Sequence, residues 1–169
     1  MIQIRPEQLE DIAAIRRVNE RAFNRAAETD LVDRLREHGK VTLSLVAARE
    51  AQIVGHILFS PVVIESTQQS IAAVGLAPMA VLPELQNQGI GSQLVKAGLD
   101  DCRRLGHQIV VVLGHPDYYP RFGFVPASRH GIRSEYDVPD EVFMAMELQQ
   151  GALTDCAGTV KYQPEFNDV

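Results

Sequence analysis

The stretch MAVLPELQNQGIGS, residues 79–92, decides the reading of this chain. A β-rich run ends at Val81, a proline-bearing loop follows, and Gly89-Ile90-Gly91-Ser92 opens a long amphipathic helix. In that helix Ile90, Leu94, Gly98, Cys102 and Leu105 share one face, and Gly106 ends it. Glycines at a helix start let a ligand approach the main chain, and the first N–H groups of a helix lack intrahelical acceptors. With the positive end of the helix dipole, they form an anion site made of backbone. Taken alone, Gly-x-Gly here is more often a device for packing helix closely on strand. Three other patterns fail: GxGxxG would need glycine where Leu94 stands, and neither GxxxxGK[ST] nor GxSxG occurs.

Upstream, Ile71–Val81 reads as a strand interrupted by Gly75 and Pro78, which implies a bulge or a sheet edge. Val41–Ala48 and Ile53–Ile64 form a predicted hairpin around Glu50–Gln52. Ile2–Arg5 is a short first strand. Glu7–Ala22 follows as a helix, with Leu9, Ile12, Ile15, Val18 and Ala22 on its apolar face. Phe23–Thr29 is polar and non-periodic, and Asp30 caps a second helix, Leu31–His38, that Gly39 ends. Downstream, Gln108–Leu113 is a buried strand and GHPDYYPRFGF a compact turn. Val142–Leu148 is a late strand, and Thr159–Tyr162 a final one before a loose terminus. Helices and strands in this order give a mixed α/β fold that is not strictly alternating.

Composition bounds the function. At 169 residues the chain fits a single domain, residues 1–169, with about 150–169 as a C-terminal extension. With 46% hydrophobic and 22% charged residues it has an ordinary globular make-up. The longest apolar run, Ile109–Leu113, is far below the ~20 residues of a membrane span. The start MIQIRPEQLEDI has no basic-then-apolar signal pattern, so a cytoplasmic setting is expected, with no membrane partner. The net charge of −6 and the lack of a Lys/Arg run argue against nucleic acid. Cys102 and Cys156, far apart and outside any CxxC, are expected as idle thiols; no His or Cys spacing fits a metal.

Gln86-Asn87-Gln88-Gly89-Ile90-Gly91 matches the [QR]xxGx[GA] motif of the GNAT superfamily of acetyl-CoA-dependent N-acetyltransferases. Tyr119-Pro-Arg-Phe-Gly123-Phe124 is similar to that family's Tyr-xxx-Gly-Phe segment. The phrases VVVLGHPDYYPRFGFVPAS and VFMAMELQQGAL resemble its YhbS-like branch in particular. The resemblance covers nearly the whole chain and is densest over residues 72–148. It implies a GNAT-type central sheet with a splayed, bulged strand flanked by helices.

It also implies chemistry. Acetyl-CoA would be the acyl donor, with no metal, and a primary amine on a small molecule or a protein would be the acceptor. By analogy the backbone of Met79, Ala80 and Val81 would pair with pantetheine, with Gly75 and Pro78 supporting the distortion. The loop Gln86–Ser92 would hold the pyrophosphate: Gln86, Asn87, Gln88, Gly89, Ile90, Gly91 and Ser92, the last adding its hydroxyl. Side chains at 89 or 91 would occupy the space of the phosphates. Tyr119 aligns with the family's general acid, a phenol that protonates the leaving thiolate, and the adjacent Tyr118 is able to exchange roles with it.

No general base is assigned. The strand Gln108–Leu113 lacks the Glu that some relatives place there. Glu28 and Asp30 at the amine-facing loop, Glu84, His56 and His115 remain as candidates, each read first as a surface or capping residue. Acceptor pockets of the family would correspond to Phe23–Asp30 and Arg129–Glu135. Relatives are commonly dimers, so the resemblance admits a homodimer. The rival readings are a non-catalytic acyl-CoA-binding sensor or subunit domain and, further off, an unrelated α/β module whose glycine turn binds no CoA.

Overall fold

Runs of β-branched residues build a nine-stranded mixed sheet in the computed structural model, which describes residues Met1–Val169. The strands are β1 (Ile2–Pro6), β2 (Leu43–Arg49), β3 (Gln52–Glu65), β4 (Ser70–Val81), β5 (Ile109–Leu113), β6 (Val125–Pro126), β7 (Ile132–Ser134), β8 (Phe143–Glu147) and β9 (Gly158–Lys161). Their spatial order is β1-β2-β3-β4-β5-β8-β6; β9 joins the far end of β3 at Val63–Glu65 and pairs with β7. Neighbours are antiparallel except β4 with β5 and β7 with β9. Along β5, Val110 and Val112 belong to the larger apolar cluster, Ile109 and Val111 to a smaller one, as two-residue alternation requires.

Three helices cover the sheet: α1 (Ile12–Phe23), α2 (Ala27–Glu37) and α3 (Ile90–Arg104). α3 buries Ile90, Leu94, Val95, Gly98, Leu99 and Cys102. Gly106, at φ +92°, closes it: Gly106 N–H bonds Arg103 O at 3.1 Å and His107 N–H bonds Cys102 O at 3.0 Å.

Several boundaries differ from the sequence reading. The first helix begins at Ile12 rather than Glu7, because the Asp11 carboxylate accepts from Gln8 N–H at 2.7 Å and pairs with Arg5. A short 3₁₀ turn over Leu9–Asp11 results, and Leu9, expected on the apolar face, is exposed. The second helix begins at Ala27, not Leu31. Thr29 Oγ1 donates to Arg16 O at 3.1 Å and both Glu28 and Thr29 are buried, so segment contacts with α1 outweigh the lack of periodicity.

The chain end is not loose. Residues 164–168 form a 3₁₀ turn whose buried Glu165 carboxylate is bonded by His38 and by Lys40 Nζ at 3.1 Å. Burial alone would raise that carboxyl, but hydrogen bonds from His38, its own backbone and Lys40 bring it down to about 2.

Candidate active site

Strand β4 is central in the sheet, yet it pairs with β5 over only Val74–Leu76, opposite Val110–Val112. Beyond Leu76 the strands part. The cause lies on the β3 side: Ile57 faces Met79 and Phe59 faces Leu76, so Leu58 stands opposite both Ala77 and Pro78. That extra residue is a bulge in β4, and Pro78, with no N–H to donate, sits inside it. The bulge is the correct half of the bulge-or-edge expectation. Gly75 has another role than supporting the distortion. It lies in regular pairing with Ser60 and Val111, and a Cβ there would stand 3.1 Å from Val62 and 3.2 Å from the Tyr162 ring.

The parted strands leave the backbone of Ala77–Val81 without a β5 partner. Ala80 and Val81 bury their side chains, so they offer only main chain there, while the half-buried Met79 side chain also faces the gap. Gln86 Nε2 donates to Val81 O at 3.0 Å, which ties the loop to the strand end and takes one of those carbonyls. Asn87 (φ +64°) and Gly89 (φ +88°) are left-handed, and the turn they make brings the N–H groups of Ile90, Gly91 and Ser92 to an end of α3 that has no side-chain cap. Ile90 itself is a core side chain.

The glycines differ in their reasons. At Gly89 a Cβ would meet nothing within 4 Å; the backbone angle is what favours glycine. At Gly91 a Cβ would lie 3.3 Å from Tyr118 Oη and 3.4 Å from the Met79 methyl, inside the concavity.

Two adjoining cavities follow the gap, sharing Met79 and His115 as walls. The one at the loop, about 480 Å³, is lined by Gln86, Asn87, Gly89, Gly91, Ser92, Tyr118 and Arg121 among others. Tyr118 Oη lies 3.1 Å from Ser92 Oγ. Arg121 stacks over the Tyr118 ring at 4.5 Å and donates from Nε to Tyr118 O at 2.9 Å. Arg121 is a residue the sequence reading missed, although it stands inside the quoted YPRFGF segment.

The second cavity, about 390 Å³, opens at the bulge between Leu76–Met79 and Leu113–His115, with Phe23, Glu28 and Leu31 from the α1–α2 corner and Phe166 from the terminal turn. Tyr119 belongs to this cavity and not to the loop cavity. Its ring lies on Gly114, where a Cβ would come within 2.3 Å, and it meets Phe124 and Tyr118 edge-on at 5.7 and 5.0 Å. Burial, with Tyr118 adding to it, pushes the Tyr119 phenol well above its usual range, so it stays protonated through the neutral pH range. The adjacent tyrosines are thus divided between the two ends of the gap.

The base candidates separate as clearly. Glu84 is exposed and paired with Arg21 at 2.7 Å, and Asp30 is exposed. His56 is fully buried, not at the surface, and lines neither cavity. Asn19 Nδ2 donates to His56 Nδ1 at 3.1 Å, and His56 Nε2 donates to Ser44 Oγ at 2.9 Å, whose hydroxyl bonds Glu7. Burial lowers the His56 pKa to about 4, against the pull of Glu7, so the ring is neutral and structural. Glu28, read first as a surface or capping residue, is buried in the second cavity's wall. The other expected acceptor region, Arg129–Glu135, lines neither cavity and supplies Ile132, Arg133, Ser134 and Glu135 to the wall of a separate pocket. Both cysteines are free and buried, no group of His, Cys, Asp and Glu is placed to hold a metal, and no helix is long and apolar enough to cross a membrane.

Comparison with known proteins agrees with this geometry. A family profile described as "Acetyltransferase (GNAT) domain" matches residues 3–127. The uncharacterized N-acetyltransferase YhbS of Escherichia coli is 39% identical over 165 residues, 97% of this chain and 98% of that protein. The crystal structure of the E. coli YhbS acetyltransferase in complex with CoA superposes with a TM-score of 0.92 at 38% identity, over 98% of this chain and 92% of that one. A GNAT family acetyltransferase from Brucella melitensis, in complex with acetyl-CoA, gives a TM-score of 0.81 at 35% identity, over 98% of each chain. With its bulged strand parting from its neighbour and its glycine turn opening α3, this chain belongs to the GNAT family of acetyltransferases.

Proposed function

We propose that the protein transfers the acetyl group of acetyl-CoA to a primary amine by direct attack within a ternary complex. The observation that carries this reading is the gap between β4 and β5, which runs from the uncapped amides of α3 to a buried tyrosine. An extended amide-bearing arm fits there as a further strand would, bonding to the main chain of Met79, Ala80 and Val81. The residues fit the donor in charge as well. The amides of Gln88–Ser92 would bind the pyrophosphate, and Gly89, Gly91, Ser92 and Arg121 line the loop cavity beside the helix start, which suits a protein of net charge −6 to hold a polyanion.

Acetyl-CoA supplies an activated acyl carbon, so the protein's tasks are orientation and charge stabilisation. Backbone donors on the bulged strand face the charge that develops on the thioester carbonyl oxygen. Tyr119, held protonated by burial, donates its proton to the departing sulfur, while Tyr118 serves the phosphate end with Ser92. The relatives' bound CoA and acetyl-CoA support the choice of donor. The unpaired thiols accord with a cytoplasmic setting.

The test is a thermal melt with and without acetyl-CoA, beside Gly89→Glu. Ligand at about 100 times its dissociation constant stabilises by about 2.7 kcal/mol, a shift of roughly 5–10 °C for a chain of this length. The wild type should shift and the variant should not; the variant's own ligand-free melt reports the strain at φ +88° separately. Equal shifts would remove the loop from the donor site. CoA release in the presence of amines then separates an enzyme from a sensor.

A further inference from the structure

Glu28 is the single carboxylate side chain in the wall of the cavity that holds Tyr119, and it is only 6% exposed. Its position is unusual for an acid in a first helical turn. Favourable interaction with the helix dipole needs no burial, and Asp30 supplies it from the surface of the same turn. Its one charged partner is Arg25, whose Nε donates to Glu28 Oε1 at 2.9 Å, whose Nη2 donates to Oε2, and whose side chain is 56% exposed, so each oxygen keeps one further lone pair for the cavity side. A buried carboxylate held from outside by one solvent-facing guanidinium keeps the capacity to accept a second cation from the cavity side.

The surroundings point to the rest of the ligand. Of the six large apolar residues that remain exposed on the whole protein, three, Phe23, Leu113 and Val169, border this one cavity. Leu31 and Phe166 continue the apolar lining beside Glu28. Exposed apolar side chains gathered at a concavity mark a binding surface, and about 390 Å³ is the size of a small-molecule site. We infer that the acceptor is a small monoamine with an apolar body, its ammonium bound by Glu28 and its body packed against Phe23, Leu31 and Phe166. This inference rests on the acetyltransferase reading above. Glu28 acts here as a binding and positioning residue. The ammonium gives up one proton to solvent, and the neutral nitrogen attacks the acyl carbon. As the C–S bond breaks, the thiolate takes a proton from Tyr119 while the nitrogen sheds its second proton, which returns through solvent to restore the phenol.

The experiment compares 2-phenylethylamine and hexylamine with spermidine and a lysine-bearing peptide as acceptors. The wild type should favour the apolar monoamines by at least about tenfold in kcat/KM, the return on burying several methylenes. Glu28→Gln should raise KM for 2-phenylethylamine at least about tenfold with kcat little changed, the cost of losing a charged hydrogen bond. Arg25→Gln, which removes the competing cation, should lower that KM. 2-Phenylethanol, without the charge, should inhibit wild type and Glu28→Gln alike. A preference for spermidine or the peptide, an unchanged KM in Glu28→Gln, or no acetylation of either apolar amine by protein that binds acetyl-CoA overturns the inference. The absence of a thermal shift with acetyl-CoA for the same preparation overturns the underlying acetyltransferase reading instead.

Discussion

The two ends of the gap are built on opposite plans. At the loop end the main chain predominates, as a left-handed turn, the first amides of α3 and a stretch of β4 unpaired with β5, with the side chains of Ser92, Tyr118 and Arg121 beside it. At the bulge end the contacts come from side chains contributed by α1, α2, β4, the turn after β5 and the terminal 3₁₀ turn. Main chain offers the same donors whatever residue carries it, so the first end suits an invariant ligand. Side chains at the second end are free to change with the acceptor. The difference teaches that one of these sites tolerates substitution where its backbone conformation is kept, and the other does not.

That contrast can be broken by mutation. The largest effect expected is from Tyr119→Phe, which keeps the ring on Gly114 and removes only the hydroxyl. Turnover should fall by about 10²–10⁴-fold while calorimetric affinity for acetyl-CoA is retained. A variant with wild-type turnover would move the proton donor to Tyr118 or to water.

Next comes His56, paired across β3 and β4 with Ala80, behind the donor strand. Its folded pKa of about 4 lies below the ordinary 6.5, so between those values the unfolded chain binds the extra proton. Stability should therefore fall as pH drops from about 6.5 to about 4, by about 3 kcal/mol in all. In urea melts across that window His56→Gln should show a flatter profile; an unchanged slope would mean that other groups carry it.

The smallest effect sharpens the contrast by its absence. Gln88 is exposed in the loop, and Gln88→Ala should alter acetyl-CoA affinity by no more than about twofold. A large loss would show that the loop end depends on side chains after all.

The same division explains what the sequence disclosed. Gln86–Ser92 is contiguous, and its glycines and helix start follow from local geometry, so the loop was legible. The bulge was legible from Pro78, because a missing N–H has few places in a sheet. Glu28 was not assignable, because its place depends on α2 starting at Ala27 and on a cavity whose walls include Tyr119 and Phe166, both far away in the sequence. Gly75 was misread for a similar reason: the ring that excludes its side chain belongs to Tyr162. Short strands such as Val125–Pro126 leave no periodic trace to read.

Gly98 stands at the middle of α3, where a Cβ would be 2.5 Å from the Phe59 ring. Phe59 is also the residue of β3 that faces Leu76, the last position before β4 turns away. One residue thus seats the helix on the sheet and also lies in register with the starting point of the gap. The helix, roughly 22 Å long, acts as a balanced beam on that fulcrum, so any widening of the seat would tilt its amide end relative to the strand it serves. The spacing between the first amides of α3 and the bulge in β4 is in this way gauged from inside the core, away from the α1–α2 corner.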